Sequence, residues 1–341
     1  MLRDGAARRL WCDAVNVAPL LSLPGMGEAA TRLEPLLRES VCSGDEFLDQ
    51  VTTHLIDAGG KRLRPGLAIA SATSGGRDAT REDLLGAVAV ELVHLASLYH
   101  DDVMDEAAVR RNVESVNARW GNLVAIVAGD FLLARSAEIA ASLGTEIAGL
   151  LANTLGRLCQ GQVAEVQTAY QVDRSQEDYF STIAGKTAAL MATSCRIGAL
   201  TASLPRVEVE ALTAYGRCFG MLFQMRDDVF DVVGTQSELG KPAGQDLAEG
   251  IYTLPVLLAL AAEDTGRELR PLLGQRLGQP ERDKARAIVA SSPAVSGTVV
   301  AGRRFVAEAR SAAAGLADRT LSQVLDELAV SLLDGIQAPP G

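Results

Sequence analysis

Three histidines, His54, His94 and His100, are all that this chain has, too few for a four-ligand zinc centre. Its five cysteines, Cys12, Cys42, Cys159, Cys195 and Cys218, are odd in number, scattered and without a CxxC pair. That pattern excludes a disulfide framework and fits free thiols in a reducing, cytoplasmic compartment. Aromatic residues make up only 4% and the net charge is −11. Base-stacking platforms and a phosphate-backbone surface are thereby excluded, so nucleic acid is not expected as a partner. No apolar, charge-free run of about twenty residues occurs, so no membrane span is expected. The N-terminus is interrupted by Asp4, Asp13 and Pro19 and reads as a poor signal peptide. Alternating β-branched segments are missing as well, which argues against a sheet-based fold.

What is present is apolar helix. Hydrophobic residues account for 48% of 341 residues, enough for a sizeable core. Helical spacing begins near Glu28 and recurs over 44–58, where Phe47, Val51 and Leu55 stand four apart. Further helices are predicted over 66–74, 81–109, 121–143 and 145–170, after the cap pair Ser175 and Asp178, over 208–233, and from Leu254 onward. Breaks are expected near 274–280 and 291–297. The organisation expected is a weakly structured arm over 1–30, a single all-helical domain over 31–335 and a frayed tail over 336–341.

The segment ELVHLASLYHDDVMDEAAVRR, Glu91 to Arg111, runs from a nearly wholly apolar helix into Asp101, Asp102 and Asp105. On a helix Asp101 and Asp105 share a face and Asp102 flanks it. Three such carboxylates repel one another, and a divalent cation removes that cost. Mg²⁺ suits the donors, because it takes oxygen ligands and is commonly held by one or two carboxylates plus substrate phosphates. The arginines Arg110 and Arg111 suit those phosphates. The pattern returns in FQMRDDVFD, with Asp227, Asp228 and Asp231 at the end of a second apolar helix. Two such ends facing each other make a cage for several Mg²⁺ ions and a diphosphate.

Other stretches carry basic groups. In GGKRLRPGL, two glycines end a helix and Lys61, Arg62 and Arg64 cluster before the next. In AGKTAAL, Lys186 lies among small apolar residues, either snorkelling to the surface or aimed into a cavity. The polar, glycine-rich stretch GTQSELGKPAGQDLAEGIYTLP contains Lys241 and Asp246 and reads as a functional lid.

Taken in order, GGKRLRP, ELVHLASLYHDDVMDEAAVRR, GDFLLARS, GKTAAL, FQMRDDVFD and GKPAGQD resemble the trans-polyprenyl diphosphate synthases of long-chain type, over residues 40 to 260 or so. The resemblance implies the all-α isoprenoid synthase fold, about ten or more helices around a central cavity, and a homodimer. It implies head-to-tail condensation of isopentenyl diphosphate with an allylic diphosphate. By the family pattern, Asp101, Asp102, Asp105, Asp227, Asp228 and Asp231 hold Mg²⁺, on the order of three ions per site. Arg110, Lys186 and Lys241 bind the allylic diphosphate, and Lys61, Arg64, His94 and Arg111 bind isopentenyl diphosphate. Lys186, Thr187 and Gln224 are the catalytic set near the allylic carbon.

One position departs from many relatives: Ile251 stands where a lid lysine is common, a departure shared with long-chain members. Val93, Ala96 and Ser97 lie on the turns before Asp101 as a chain-length wall. Without an aromatic plug there, the product implied is longer than geranylgeranyl, hexaprenyl to decaprenyl. Geranylgeranyl diphosphate synthase and class I terpene cyclase remain the alternatives, and a peripheral contact with a membrane is left open.

Overall fold

A computed structural model describes residues 18–235 and 243–337. In chain order the helices are α1 (Ala18–Leu21), α2 (Met26–Ser40), α3 (Glu46–Asp57), α4 (Leu63–Ala72), α5 (Arg81–Met104), α6 (Val116–Trp120), α7 (Asn122–Ser142) and α8 (Thr145–Gln167). They continue as α9 (Gln176–Ile183), a π-helical turn (Ala184–Ala188), α10 (Ala189–Thr201), α11 (Arg206–Val233), α12 (Gln245–Ala248), α13 (Leu254–Ala261), α14 (Glu263–Leu269), α15 (Gln279–Ser291), α16 (Ala294–Ala314) and α17 (Arg319–Gln337). The expected all-α class is what the chain adopts. Two details differ from the sequence reading. The described part of the segment expected as a weakly structured arm is helical over Ala18–Leu21 and from Met26, where Met26, Ala29 and Ala30 are buried. And the helix expected over 81–109 stops at Met104, giving way to strands β1 (Val109–Arg110) and β2 (Val113–Glu114).

By internal packing the chain divides into two compact units. The first gathers the chain up to Leu155, Leu190–Gly216 and Ala313–Leu328; the second gathers Gly156–Ala189, Arg217–Ala312 and the chain from Ala329.

The first unit is built on α5. Thr80 caps it, accepting from the Asp83 N–H while the Asp83 carboxylate accepts from the Thr80 N–H, so two orphan donors of the first turn are satisfied together. Its apolar residues lie all round, and Leu84 through Leu95 are mostly buried, so other helices must cover every face. Helix α7 does so along Ala125, Ala128, Leu132 and Ser136, and the Ser136 hydroxyl donates to the Ala89 carbonyl at 2.7 Å. Helix α10 crosses at Gly86, where an added Cβ would lie 2.7 Å from Ile197 Cγ2.

In the second unit α16 and α17 pack through Gly302, whose added Cβ would sit 2.9 Å from Leu333 Cδ1. Helix α9 places Tyr179 and Phe180 edge to face at 5.2 Å, and Phe180 leans on Phe305.

Candidate active site

The first carboxylate cluster is shaped by how α5 ends. Asp105 is its C-cap, and its N–H donates to the Asp101 carbonyl. Asp101 is half-buried, Asp105 is exposed and Asp102 is fully buried. The three do not form one solvated face, because successive residues on a helix point about 100° apart and Asp102 falls on the packed side. Asp102 Oδ1 accepts from Arg110 Nε at 2.7 Å and pairs with Nη2 at 2.6 Å. Its other oxygen, Oδ2, is buried with no hydrogen-bond partner among the described residues. Burial raises its pKa, and Arg110 works in the opposite direction.

Arg110 and Arg111 reach their places through a two-residue hairpin rather than a helix. Val109 pairs with Glu114 and Arg110 with Val113, leaving Arg111 and Asn112 in the loop at φ 52° and 62°. Positive φ at both loop residues is the turn that matches the right-handed twist of a hairpin. The two arginines therefore diverge. Arg110 turns to Asp102, while Arg111 Nη1 donates to the carbonyls of Leu55, at 2.8 Å, and Gly59.

That second contact reaches the basic loop. Gly59 and Gly60 have φ of 85° and 148°, and a Cβ on Gly60 would lie 2.9 Å from the Arg111 guanidinium. Lys61 and Arg64 flank Arg62, which is only 2% exposed. On α5, half-buried His94 has its pKa driven well below the usual histidine value, first by burial and then by Arg64, Arg111, Arg62 and Arg110. It is neutral at pH 7. Three residues of the expected wall lie beside it, Val93 and Ala96 buried and Ser97 half-buried, with the Ser97 hydroxyl donating to the His94 carbonyl at 2.8 Å.

The second unit joins Thr187, Gln224 and Asp228 in one chain of hydrogen bonds and sets Lys186 beside it. Lys186 and Thr187 sit on the π-helical turn, a rare local widening that re-aims side chains. A close crossing accompanies it: an added Cβ on Gly161 would lie 2.5 Å from the Lys186 backbone nitrogen. Lys186 Nζ pairs with Glu165. Thr187 Oγ1 donates to Gln224 Oε1 at 2.7 Å, and Gln224 Nε2 donates to Asp228 Oδ1 at 2.8 Å. Tyr179 donates to Asp228 Oδ2 at 2.5 Å. Both Asp228 oxygens are thus engaged by protein, and burial pushes its pKa up to about 7. Asp227, about half exposed, lies 3.8 Å from Arg226. Asp231 is 4% exposed, and its Oδ2 accepts from the Asp246 N–H at 3.3 Å.

Lys241 lies outside the described residues. Ile251 donates its N–H to the Asp246 carbonyl at 2.8 Å, in the turn after α12. Sequence reasoning missed Tyr179 and Glu165. The only signal for Tyr179 was its place on a capped helix before AGKTAAL, and Glu165 had none.

Among the described residues no three histidine, cysteine, aspartate or glutamate side chains converge as a ready-made metal cage. Magnesium fits the residues present nonetheless. The donors are hard carboxylate oxygens, and Asp102 Oδ2, buried and unmet by any described group, is an acceptor that a cation would satisfy. No helix among the described residues is long and apolar enough to cross a membrane.

The family model for polyprenyl synthetase matches residues 45–290. Among curated proteins, the chain is similar to the nonaprenyl diphosphate synthase of Mycobacterium tuberculosis, 39% identical over 86% of this chain and 90% of that one. It is 43% identical to heptaprenyl diphosphate synthase component 2 of Geobacillus stearothermophilus, over 68% and 72%. Among solved structures, a polyprenyl synthase from Caulobacter crescentus, complexed with calcium and isoprenyl diphosphate, superposes with a TM-score of 0.87. That match has 31% identity and covers 94% of this chain and 98% of the other.

Proposed function

This chain belongs to the polyprenyl synthetase family, and from that premise we propose that it condenses isopentenyl diphosphate head-to-tail with farnesyl or geranylgeranyl diphosphate to make a long-chain all-trans polyprenyl diphosphate. The observation that carries the reading is the double acidic cluster, Asp101–Asp105 and Asp227–Asp231, in a chain that also has the basic loop Lys61–Arg64.

Asp101, Asp102, Asp105, Asp227 and Asp231 are assigned to Mg²⁺, on the order of three ions when substrate is bound, while Asp228, whose two oxygens accept from Tyr179 and Gln224, supports them from behind. Magnesium, when bound, neutralises the charge on the departing diphosphate. Arg110, Lys186 and Lys241 hold the allylic diphosphate, and their fixed charges favour breaking its C–O bond. Lys61, Arg64 and Arg111 hold isopentenyl diphosphate, with neutral His94 as a hydrogen-bond donor. Thr187 and Gln224 turn oxygen dipoles toward the carbon where positive charge develops. The isopentenyl double bond forms the new C–C bond, and one proton leaves to the released diphosphate. Apolar walls keep water from quenching the allylic cation.

Ala89, Val93 and Ala96 carry no aromatic side chain to stop elongation, which supports a product beyond twenty carbons. The homodimer is supported by an exposed apolar stripe on α7, where Leu123, Ile126 and Val127 are 76%, 42% and 54% exposed, an expensive surface to leave in water. The described cysteines are all free, consistent with a cytoplasmic enzyme, and a peripheral membrane contact suits release of so apolar a product.

The test is product analysis. Purified protein, Mg²⁺, labelled isopentenyl diphosphate and farnesyl diphosphate are expected to give a ladder ending beyond twenty carbons. A stop at twenty carbons overturns the length assignment. A cyclic hydrocarbon from the allylic substrate alone, without isopentenyl incorporation, overturns the condensation.

A further inference from the structure

We propose that Glu91 and Glu34, acting through Arg62, are positioning residues that set the basic loop for its diphosphate. This rests on the reading above, in which Lys61 and Arg64 bind isopentenyl diphosphate.

Lys61, Arg62 and Arg64 are indistinguishable by charge, yet Arg62 is turned inward. Its backbone is left-handed, φ 45° and ψ 36°, a conformation that a residue with a Cβ adopts only when its surroundings impose it. Its guanidinium is wholly buried. Nε donates to Glu34 Oε1 at 2.7 Å and Nη2 to Glu34 Oε2 at 3.2 Å. Nη1 donates to Glu91 Oε1 at 3.0 Å. The remaining bonds go to the carbonyls of Ile56, at 3.1 Å, and Gly59, at 3.4 Å. A guanidinium has five N–H groups, and these contacts use all of them. Nothing is left with which Arg62 could grip a ligand.

What the arrangement does is mechanical. One side chain ties α2 (Glu34), the end of α3 (Ile56), the loop (Gly59) and the middle of α5 (Glu91) to a single point. Glu91 is 2% exposed and one helical turn from His94. A buried ion pair contributes little net stability compared with apolar packing, because both charges must be desolvated. Its usable property is geometric: a bidentate fork fixes both distance and plane. Fixing Arg62 fixes the peptide units on either side of it, and so the directions in which Lys61 and Arg64 leave the chain. Two carboxylates more than offset the Arg62 charge, so Arg62 itself offers a diphosphate no net attraction.

The experiment uses full-length protein with E91Q, E34Q and the volume-filling pair R62M/E91L. Isopentenyl diphosphate does not react alone, so its affinity is measured by calorimetry, and KM is measured for each substrate separately. The expected result for E91Q is a weakening of isopentenyl diphosphate binding, and a rise in its KM, of about tenfold or more. The KM for farnesyl diphosphate should stay within about twofold, and E34Q should act in the same direction. R62M/E91L should recover the wild-type melting temperature without recovering the affinity. Unchanged affinity in E91Q, or recovered affinity in R62M/E91L, overturns the proposal. Absence of binding by the wild type itself overturns the functional reading, and this inference falls with it.

Discussion

Tyr179 and Asp228, 49 residues apart in sequence, meet through a 2.5 Å hydrogen bond from the phenol to the carboxylate. Asp228 is 2% exposed and Tyr179 1%. In Tyr179→Phe the carboxylate keeps Gln224 and loses its other donor. Leaving a buried acceptor unmet costs about 1–3 kcal/mol. The variant is expected to lose that much unfolding free energy, read as a lower urea midpoint at unchanged slope, with reduced turnover; an unchanged midpoint counts against the bond.

His94 gives the metal-free protein a pH dependence. Its folded pKa lies well below the ordinary 6.5, so below that pH the unfolded chain binds a proton that the folded chain resists. The stability associated with neutral His94 is present above about pH 6.5 and is lost as pH falls toward the folded value. Urea midpoints measured from pH 8 down to pH 5 should decline more steeply for wild type than for His94→Gln. Parallel declines would assign the acid sensitivity elsewhere.

Replacing Asp101 or Asp227 by alanine is expected to lower turnover by at least about a hundredfold, while circular dichroism keeps its helical signal. Neither residue is fully buried, so the fold does not depend on them. Wild-type turnover in either variant would remove that cluster from the metal site.

Gly161→Ala drives a methyl group against the Lys186 backbone. Overpacking of this kind costs about 1–3 kcal/mol, and relief by shifting the π-helical turn moves Lys186 and Thr187. Turnover at saturating substrate should fall further than the fraction folded does. A loss tracking stability alone would mean that the turn tolerates displacement.

Ala96→Phe puts a ring on the buried stripe of α5 about 7.5 Å before Asp101. Products resolved by length should shorten by several isoprene units. An unaltered distribution would take Ala96 out of the chain-length wall.

The helices were legible because 3.6-residue periodicity and caps are local. The Ser175–Asp178 capping box follows from neighbours in sequence, and so do the breaks expected over 274–280 and 291–297, which the structure puts at 270–278 and 292–293. The hairpin at Arg110–Val113 was not legible, since two-residue strands carry no alternation to detect. The helix read from Glu28 starts two residues earlier, at Met26, since its N-cap is Gly25 with no side-chain cap to announce it.

By itself the sequence determined which residues carry charge at the ends of apolar helices, and so which side chains are candidates to meet a diphosphate and a divalent cation. Only the tertiary structure decided where each charge points. Asp102 turns in to Arg110 while Asp101 and Asp105 keep exposure, and Arg62 is buried against Glu34 and Glu91 between Lys61 and Arg64. The physical reason is that like charges next to one another in sequence look equivalent until packing buries one of them. A buried charge must then find its partner among residues that the chain brings close only by folding.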